Sequence, residues 1–143
     1  MWNEARESIK RKKDTHFEDY LSTEEGKKLP VEHCIKDTDG WRLIEELESY
    51  CADNGNRVYE KITFGCKELA QELYAEQKRE SIDSIEIIGL CTDICVVSNA
   101  LLLKAFLPQV EISVDASCCA GVTPETHEAA LTTMTSCQIL VKR

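Results

Sequence analysis

Residues 84–96 read SIEIIGLCTDICV, and this stretch decides the fold class. Its first seven residues are almost continuously apolar, which is typical of a strand covered on both faces. The segment from Ile94 to Phe106 is also almost wholly apolar and ends before Pro108, which predicts a buried helix. A buried strand followed directly by a helix indicates a βαβ unit.

The same alternation of strands and helices continues on both sides of this stretch. Short apolar runs predict further strands at residues 57–60, 110–114 and 138–141. Helical spacing predicts a helix at residues 68–78 with Thr63 as a candidate N-cap, and Thr123 and Pro124 open another. We therefore predict an α/β fold, a three-layer α/β/α architecture with a mostly parallel sheet, in one domain over residues 1–143.

The first third of the chain has a different character. Residues 17–40 are rich in charge, include Pro30 and lack sustained periodicity, which predicts an ordered loop. Residues 41–51 place Leu43, Ile44 and Leu47 at helical spacing, which predicts a short amphipathic helix closed by a turn at residues 54–56.

Composition excludes several classes of protein. The chain has 143 residues, of which 43% are apolar, enough for a hydrophobic core. Its 17 basic and 26 acidic residues give a net charge of −9, which argues against a nucleic acid partner. The first residues, MWNE, lack the apolar centre of a signal peptide, and no apolar stretch approaches the roughly 20 residues that a membrane helix needs. We therefore expect a cytoplasmic protein without a membrane partner, whose eight cysteines are reduced thiols.

Two residues at the carboxyl ends of predicted strands are candidates for catalysis, since ligands bind at that edge of parallel sheets. Cys95 lies in the first turn of the helix after residues 84–90, where a helix N-terminus lowers a thiol pKa and binds an oxyanion. Lys61 follows the strand at residues 57–60, at the same predicted edge. The alternatives are a buried packing cysteine and a solvated surface lysine.

A second cluster has the residue types of a metal site. Asp14 and His16 are two residues apart, so an extended backbone places them on the same side, and His33 follows. Four carboxylates between these histidines are candidates to complete the cluster, of which one or two would be needed: Glu18, Asp19, Glu24 and Glu25. Two histidines with carboxylates suit zinc, iron or manganese better than calcium. The alternative is a polar surface loop with two scattered histidines.

Five short segments follow one another in an order that is specific enough to suggest a protein family. They are DTHF at residues 14–17, LPVEHCIK at 29–36, KITFG at 61–65, GLCTDICV at 89–96 and THEAAL at 126–131. Together they resemble the isochorismatase-like cysteine hydrolases, and within them the nicotinamidase and pyrazinamidase branch. Their ordered agreement over residues 14–143 argues against a plain α/β domain with structural cysteines.

The resemblance implies catalytic roles for single residues. Cys95 matches the nucleophile, and Lys61 matches the lysine of a Cys-Lys-Asp triad. The main-chain N–H groups of Cys91 and Cys95 match an oxyanion hole, and the Leu90–Cys91 peptide bond matches one that is cis in the family.

The resemblance also implies a metal site. Asp14, His16 and His33 match metal ligands, and Glu25 is the fourth because it directly precedes Gly26. The implied cofactor is a divalent metal ion, zinc first, with iron or manganese as alternatives.

The chain departs from the family pattern in its first part. The triad aspartate belongs to an Asp-x-Gln-Asn-Asp-Phe-like segment that this sequence lacks, so we expect the chain to begin after it. The four cations at residues 10–13 cannot occupy a central strand buried on both faces. We therefore expect two strands, one of them central, to be missing or replaced, and the exposed sheet edge to favour a homo-oligomer.

The implied function is hydrolysis of a linear amide by a cysteine-dependent enzyme. In the nicotinamidase reaction, nicotinamide and water give nicotinate and ammonia through a Cys95 thioester. Leu29 replaces an aromatic residue and Asp37 replaces a glycine of the family pattern, so another small-molecule amide is an alternative substrate. Phe17 and Trp41 are candidates for an aromatic wall or for packing. The alternative from another class is a truncated, non-catalytic relative that acts by binding.

Overall fold

A computed structural model describes residues 8–53 and 58–143 of the chain. The described chain forms two compact units, which divide after Thr63. We call the part up to Thr63 the N-terminal unit and the part from Phe64 to Arg143 the C-terminal unit. Among the described helices, none is both long and apolar enough to cross a membrane.

The N-terminal unit is built on two parallel strands, β1 (Arg11–Asp14) and β2 (Val58–Lys61). Their register pairs Arg11 with Val58 and Asp14 with Lys61, so the last residues of both strands lie side by side. Two helices, α1 (Glu24–Lys28) and α2 (Glu45–Asp53), lie between these strands in the sequence. Single 3-10 turns occur at Tyr20–Ser22 and Asp39–Trp41, so the predicted loop at residues 17–40 is ordered but contains local helix.

The cationic run forms a strand, contrary to the expectation that the strand carrying Asp14 is missing or replaced. Its residues are half-buried rather than fully buried, which long cationic side chains tolerate because their apolar stems can pack while their charged ends reach water. The Lys13 ammonium lies 3.2 Å from the centre of the Trp41 ring, a cation–π contact. The absence of the family's first strand stays a prediction.

Helix α2 differs from its prediction in both position and packing. It begins at Glu45 rather than at residue 41, and Ile44 and Leu47 are exposed by 64% and 42%. The helical spacing of these apolar side chains therefore does not produce a buried face. The predicted turn at residues 54–56 lies outside the described residues.

The C-terminal unit alternates helices and strands as predicted. Its elements are α3 (Lys67–Gln77), β3 (Ser84–Leu90), α4 (Val97–Phe106), β4 (Glu111–Ala120), α5 (Pro124–Ser136) and β5 (Leu140–Lys142). The three strands form a parallel sheet in the order β3-β4-β5. The mostly parallel α/β fold is thus confirmed.

The core of this unit lies between the sheet and its helices. Helix α4 packs on β4 and on α3, and α5 packs on α4 and β5. Every one of these elements except β5 contributes buried apolar side chains, and Ile139 is buried directly before β5, as expected for βαβ units. The most deeply buried are Ala70, Ala100, Ile112, Val114, Leu131 and Met134.

Three local predictions in the C-terminal unit are wrong. Thr63 is not the cap of α3, because that helix begins later, with Cys66 as its N-cap residue. Strand β3 is not covered on both faces, because Ile88 and Leu90 are exposed by 59% and 70%. Strand β4 is twice as long as predicted and includes Cys118 and Cys119, which the sequence places after it.

An irregularity within β4 explains its extra length. The pairing with β3 shifts register between Ile87 and Gly89, so that Val114 faces Ile87 while Cys119 faces Gly89. The Asp115 carboxylate accepts hydrogen bonds from the main-chain N–H and the hydroxyl of Ser117, at 2.9 and 2.6 Å. Such an Asp-centred turn stabilises the extra residues of a bulge, after which the strand resumes.

Candidate functional site

The N-terminal unit brings three of the predicted metal ligands together. One ligand atom from each of His16, Glu25 and His33 lies within 4.8 Å of the other two. A Glu25 carboxylate oxygen is 3.7 Å from the Nε2 atom of each histidine. Glu24, the other candidate in this helix, is 79% exposed and pairs with Lys27 instead.

Main-chain hydrogen bonds align the two histidine segments. The N–H of His16 donates to the carbonyl of Cys34, and the N–H of Lys36 donates to the carbonyl of His16, both at 2.9 Å. This parallel bridge continues β1 beyond Asp14, so the segment from His33 to Lys36 runs alongside it. The Cys34 backbone is left-handed, with φ of 49°, which turns the chain between His33 and the bridge.

Tyr20 is a functional residue of this cluster that the sequence analysis missed. Its side chain is 1% exposed, and its ring centre lies 4.7 Å from that of His16 and 5.0 Å from that of His33. Its hydroxyl donates to the Leu29 carbonyl at 3.0 Å. The ring therefore forms an apolar support for both imidazoles. Its spacing, four residues after His16, is the only signal in the sequence.

The short helix α1 positions Glu25. The Thr23 hydroxyl caps the helix by accepting a hydrogen bond from the Gly26 N–H at 3.0 Å, and it donates to the Tyr20 carbonyl at 2.6 Å. Gly26 lies directly against the Tyr20 main chain, since a Cβ atom at position 26 would be 2.0 Å from the Tyr20 oxygen. Close approach of two backbones at this glycine thus places Glu25 beside the histidines.

The ring nitrogens of the two histidines fit a divalent metal ion. The Nε2 atom of His16 is buried and has no hydrogen-bond partner within residues 8–53 and 58–143, as expected for a nitrogen that serves another ligand. The Nδ1 atom of His33 lies 2.8 Å from the Val31 carbonyl. If Nδ1 carries the proton for this bond, Nε2 presents its lone pair towards Glu25, as in many metal-binding histidines. Two imidazoles and one carboxylate suit zinc, iron or manganese.

Asp14 lies outside this group of three and pairs with Lys61. The Lys61 ammonium donates a hydrogen bond to an Asp14 carboxylate oxygen, and Lys61 is 4% exposed. The alternative of a solvated surface lysine is therefore wrong. Parallel pairing of β1 and β2 places these residues opposite each other, and the Thr15 N–H donates to the Lys61 carbonyl at 2.9 Å. A buried ammonium needs such a counterion.

The thiol of Cys34 is held in its neutral form. Burial raises the pKa of Cys34, and the carboxylates of Asp14 and Glu25 raise it further, against the opposing charges of Lys61 and Lys13. A thiol with a raised pKa is a weak nucleophile at neutral pH. Cys34 is therefore a structural residue of the loop, although it lies near the charged groups.

The C-terminal unit contains the predicted nucleophile, Cys95. Strand β3 ends at Leu90, and a π-helical turn at Thr92–Val96 leads directly into α4, so half-buried Cys95 lies just before the α-helix. The Val96 N–H donates to the Cys91 carbonyl at 3.0 Å, which closes the wide turn. The Leu90–Cys91 peptide bond is cis, as the resemblance implies.

The N-terminal end of α5 holds the start of this turn. The hydroxyl of Thr92, which is fully buried, lies 2.8 Å from Nδ1 of His127. The Asp93 carboxylate accepts a hydrogen bond from the Val122 N–H at 3.1 Å. His127, which is half-buried in α5, thus packs on the turn that carries Cys95.

The Asp93 carboxylate is stabilised in its charged form. Burial raises the pKa of Asp93, but hydrogen bonds from the Thr126 hydroxyl and the Val122 N–H, together with the charge of His127, outweigh burial and lower the pKa overall. Asp93 therefore stays ionised near neutral pH and keeps its contact with the residues that precede α5.

Comparison with known proteins identifies the family. The Isochorismatase domain, as a sequence family, matches residues 8–142 of this chain. The chain belongs to the isochorismatase family. The match spans both compact units of this isochorismatase-family protein, and no curated protein sequence matches it significantly.

Solved structures with the same fold include several nicotinamidases. A nicotinamidase/pyrazinamidase from Bacillus subtilis is 25% identical, with a TM-score of 0.76 over 95% of this chain and 75% of the relative. A pyrazinamidase/nicotinamidase from Streptococcus mutans is also 25% identical, with a TM-score of 0.73 over 94% of this chain and 75% of that one. A pyrazinamidase of Pyrococcus horikoshii, solved in complex with zinc, is 22% identical with a TM-score of 0.72 over 95% and 75% of the two chains.

Metal binding by His16, Glu25 and His33, here called the metal group, can be tested with a matched pair of variants. Loss of a residue that only hydrogen-bonds to a metal ligand lowers metal affinity by about 10- to 100-fold. Because Glu25 would be a ligand itself, we expect Glu25→Gln to weaken zinc binding by more than about 100-fold. Glu24→Gln removes the same charge from the neighbouring residue of the same helix, and it should leave affinity close to that of the wild type. Isothermal titration of each metal-free protein with zinc measures both. Equal affinities for the two variants would contradict a site that includes Glu25.

Proposed function

We propose that this chain is a cysteine-dependent amidase that hydrolyses a small carboxamide of the nicotinamide type. The observation that carries the proposal is the position of Cys95, in the turn between the carboxyl end of β3 and the N-terminal end of α4. That position gives a nucleophile access to main-chain N–H groups. Nicotinamidases among the structural relatives, at 25% identity, support the choice of substrate class.

The proposed reaction is an acyl transfer in two steps. In the first step, the Cys95 thiolate attacks the carboxamide carbon, and the N–H groups of Cys91 and Cys95 donate hydrogen bonds to the oxygen on which negative charge develops. The carbon–nitrogen bond then breaks, and the nitrogen takes up one proton, equivalent to the one that the Cys95 thiol released and relayed by Lys61 in this proposal, and leaves as ammonia. In the second step, water hydrolyses the thioester, which releases the carboxylate and restores the thiol.

Lys61 serves the proton transfers of this reaction in the proposal, because the resemblance assigns it to the triad. A buried ammonium without a counterion loses its charge readily. The ion pair of buried Lys61 with Asp14 therefore favours the ammonium form, which can donate a proton. We infer that Asp14, which the resemblance matches to a metal ligand, acts here as the counterion of Lys61.

A divalent metal is the proposed cofactor, and zinc is favoured because the Pyrococcus relative was solved with zinc. His16, Glu25 and His33 would hold it, since their ligand atoms lie together and His16 Nε2 has no hydrogen-bond partner in the part of the chain that the structure describes. When bound, such a metal supplies a Lewis-acidic position that can orient a ring nitrogen or a water molecule. Tyr20 keeps the two imidazoles in place by packing against both.

The test is ammonia release from nicotinamide by the purified chain supplied with zinc, manganese or iron. We expect nicotinate and ammonia in equal amounts, with a fall in rate when the metal is removed by a chelator and recovery when it is restored. Benzamide, which lacks the ring nitrogen, should be the poorer substrate. No release from any small amide by the folded, metal-loaded chain would overturn the proposal and favour a binding protein.

The homo-oligomer expected from the sequence stays a prediction.

A further inference from the structure

Asn99 is a buried polar residue one helical turn after Cys95. Its side chain is 2% exposed in α4. Both hydrogens of its amide nitrogen have acceptors: the Cys95 carbonyl at 2.7 Å and the Phe64 carbonyl at 3.0 Å. Its oxygen accepts a hydrogen bond from the Cys66 N–H at 2.9 Å. The amide therefore joins the main chain of Cys95 to the segment of residues 64–66.

Few side chains could replace Asn99 in these three hydrogen bonds. Each of the three groups that Asn99 satisfies is a main-chain group, and such groups are rarely left unpaired when buried. An asparagine amide has two donor hydrogens and an oxygen acceptor, which matches the two carbonyls and the one N–H that converge on it. A side chain with fewer polar atoms cannot serve all three.

The segment of residues 64–66 also packs directly on α4. A Cβ atom added at Gly65 would lie 3.3 Å from the Leu102 side chain and 3.6 Å from the Ser98 carbonyl. The segment and the helix are thus in close contact on both sides of the Asn99 hydrogen bonds. Asn99 therefore connects the turn at Thr92–Val96, here called the nucleophile turn because it carries Cys95, to a segment that packs closely on α4.

Together with α5, Asn99 restrains the nucleophile turn at two points. His127 and the Val122 N–H contact the beginning of the turn, at Thr92 and Asp93. Asn99 contacts its end, at the Cys95 carbonyl. The five-residue turn is therefore held by side-chain hydrogen bonds at both of its ends.

We propose that Asn99 is a positioning residue that sets the orientation of the Cys95 thiol through the Cys95 main chain. The inference rests on the proposed function, in which Cys95 is the nucleophile. Loss of the Asn99 amide lets the turn relax, so that Cys95 keeps its chemistry but loses its alignment with the substrate and with the main-chain N–H groups. Misplacement of a reacting group by about 1 Å lowers rates by about 100-fold.

The test compares Asn99→Leu and Asn99→Ser with Ile112→Val, a core change in β4 of the same unit. Leucine removes all three hydrogen bonds at similar size, whereas serine retains one hydroxyl and leaves room for a bridging water. We expect kcat for nicotinamide to fall by about 100-fold in Asn99→Leu with KM little changed, and to recover partly in Asn99→Ser. Ile112→Val, whose loss of stability thermal unfolding measures alongside, should leave kcat near that of the wild type.

A second readout does not require turnover. Alkylation of Cys95 by iodoacetamide, followed by peptide mass spectrometry across neutral pH, should be slower in both Asn99 variants, with a pH profile moved upward, and unchanged in Ile112→Val. If Asn99→Leu does not fold, Asn99→Ser decides the question. Wild-type alkylation in the folded Asn99 variants would overturn the inference. Failure of the proposed function gives a different result, no Cys95-dependent ammonia release by the wild type, and leaves the alkylation comparison intact.

Discussion

We expect Cys95→Ala to lower the rate of ammonia release from nicotinamide by about 10⁴-fold or more, because the proposed thioester cannot form without the nucleophile. The substitution removes one sulfur atom from a half-buried position in the turn before α4, so it should change neither the fold nor metal binding. Initial rates of ammonia release at saturating nicotinamide measure the effect. Circular dichroism and zinc titration confirm that the variant is otherwise intact.

The control for Cys95→Ala is Cys137→Ala. Cys137 is an exposed cysteine at the C-terminal end of α5, in the same unit as Cys95. Its replacement should leave the rate within about twofold of the wild type, since surface substitutions rarely change stability. A Cys95→Ala protein that releases ammonia as fast as Cys137→Ala would show that Cys95 is not the nucleophile and that the amidase proposal is wrong.

Gly26→Ala is the second change with a large expected effect. It should separate Glu25 from His16 and His33 without replacing any of these three residues. The added Cβ would lie 2.0 Å from the Tyr20 carbonyl oxygen and 2.8 Å from the Leu21 Cα atom, and both contacts are with main chain that cannot rotate away. The short helix α1 must therefore separate from the Tyr20 turn. We expect zinc affinity to fall by at least about 100-fold and stability by at least about 2 kcal/mol.

Gly40→Ala is the matched control, since a Cβ atom at Gly40 meets no atom within 4 Å in the described structure. It adds the same methyl group to the same unit, so its zinc affinity and unfolding midpoint should match those of the wild type. Zinc titration and urea unfolding of both variants provide the comparison. Tight zinc binding by folded Gly26→Ala would mean that Glu25 and Tyr20 need not be held together for the metal group to form.

The fold of the C-terminal unit could be predicted because its signals are local. The apolar run at residues 84–90, the apolar helix that follows and the cap formed by Thr123 with Pro124 each act over one or two turns of chain. The structure has a strand at Ser84–Leu90 and a helix that begins at Pro124 with a capping box. Helix α3 was predicted within one residue at each end, although its cap was wrong.

Predictions that depended on neighbours in space were less successful. Apolar character alone indicated that β3 is covered on both faces, but burial depends on which elements pack there, and Ile88 is exposed. The same limit applies to β1, where the charge of residues 10–13 argued against a central strand buried on both faces. The strand that forms is only half-buried and is stabilised by the contact between Lys13 and Trp41, and sequence spacing reveals neither feature.

Sequence by itself determined the family, the alternation of strands and helices, and the candidate residues, because these depend on residue type, order and local spacing. Tertiary structure decided which candidates meet. It joined His16, Glu25 and His33, paired Asp14 with Lys61, and placed Asn99 against the Cys95 main chain. The physical reason is that such contacts arise when strand register and buried backbone groups bring distant segments together, and a linear pattern does not contain those distances.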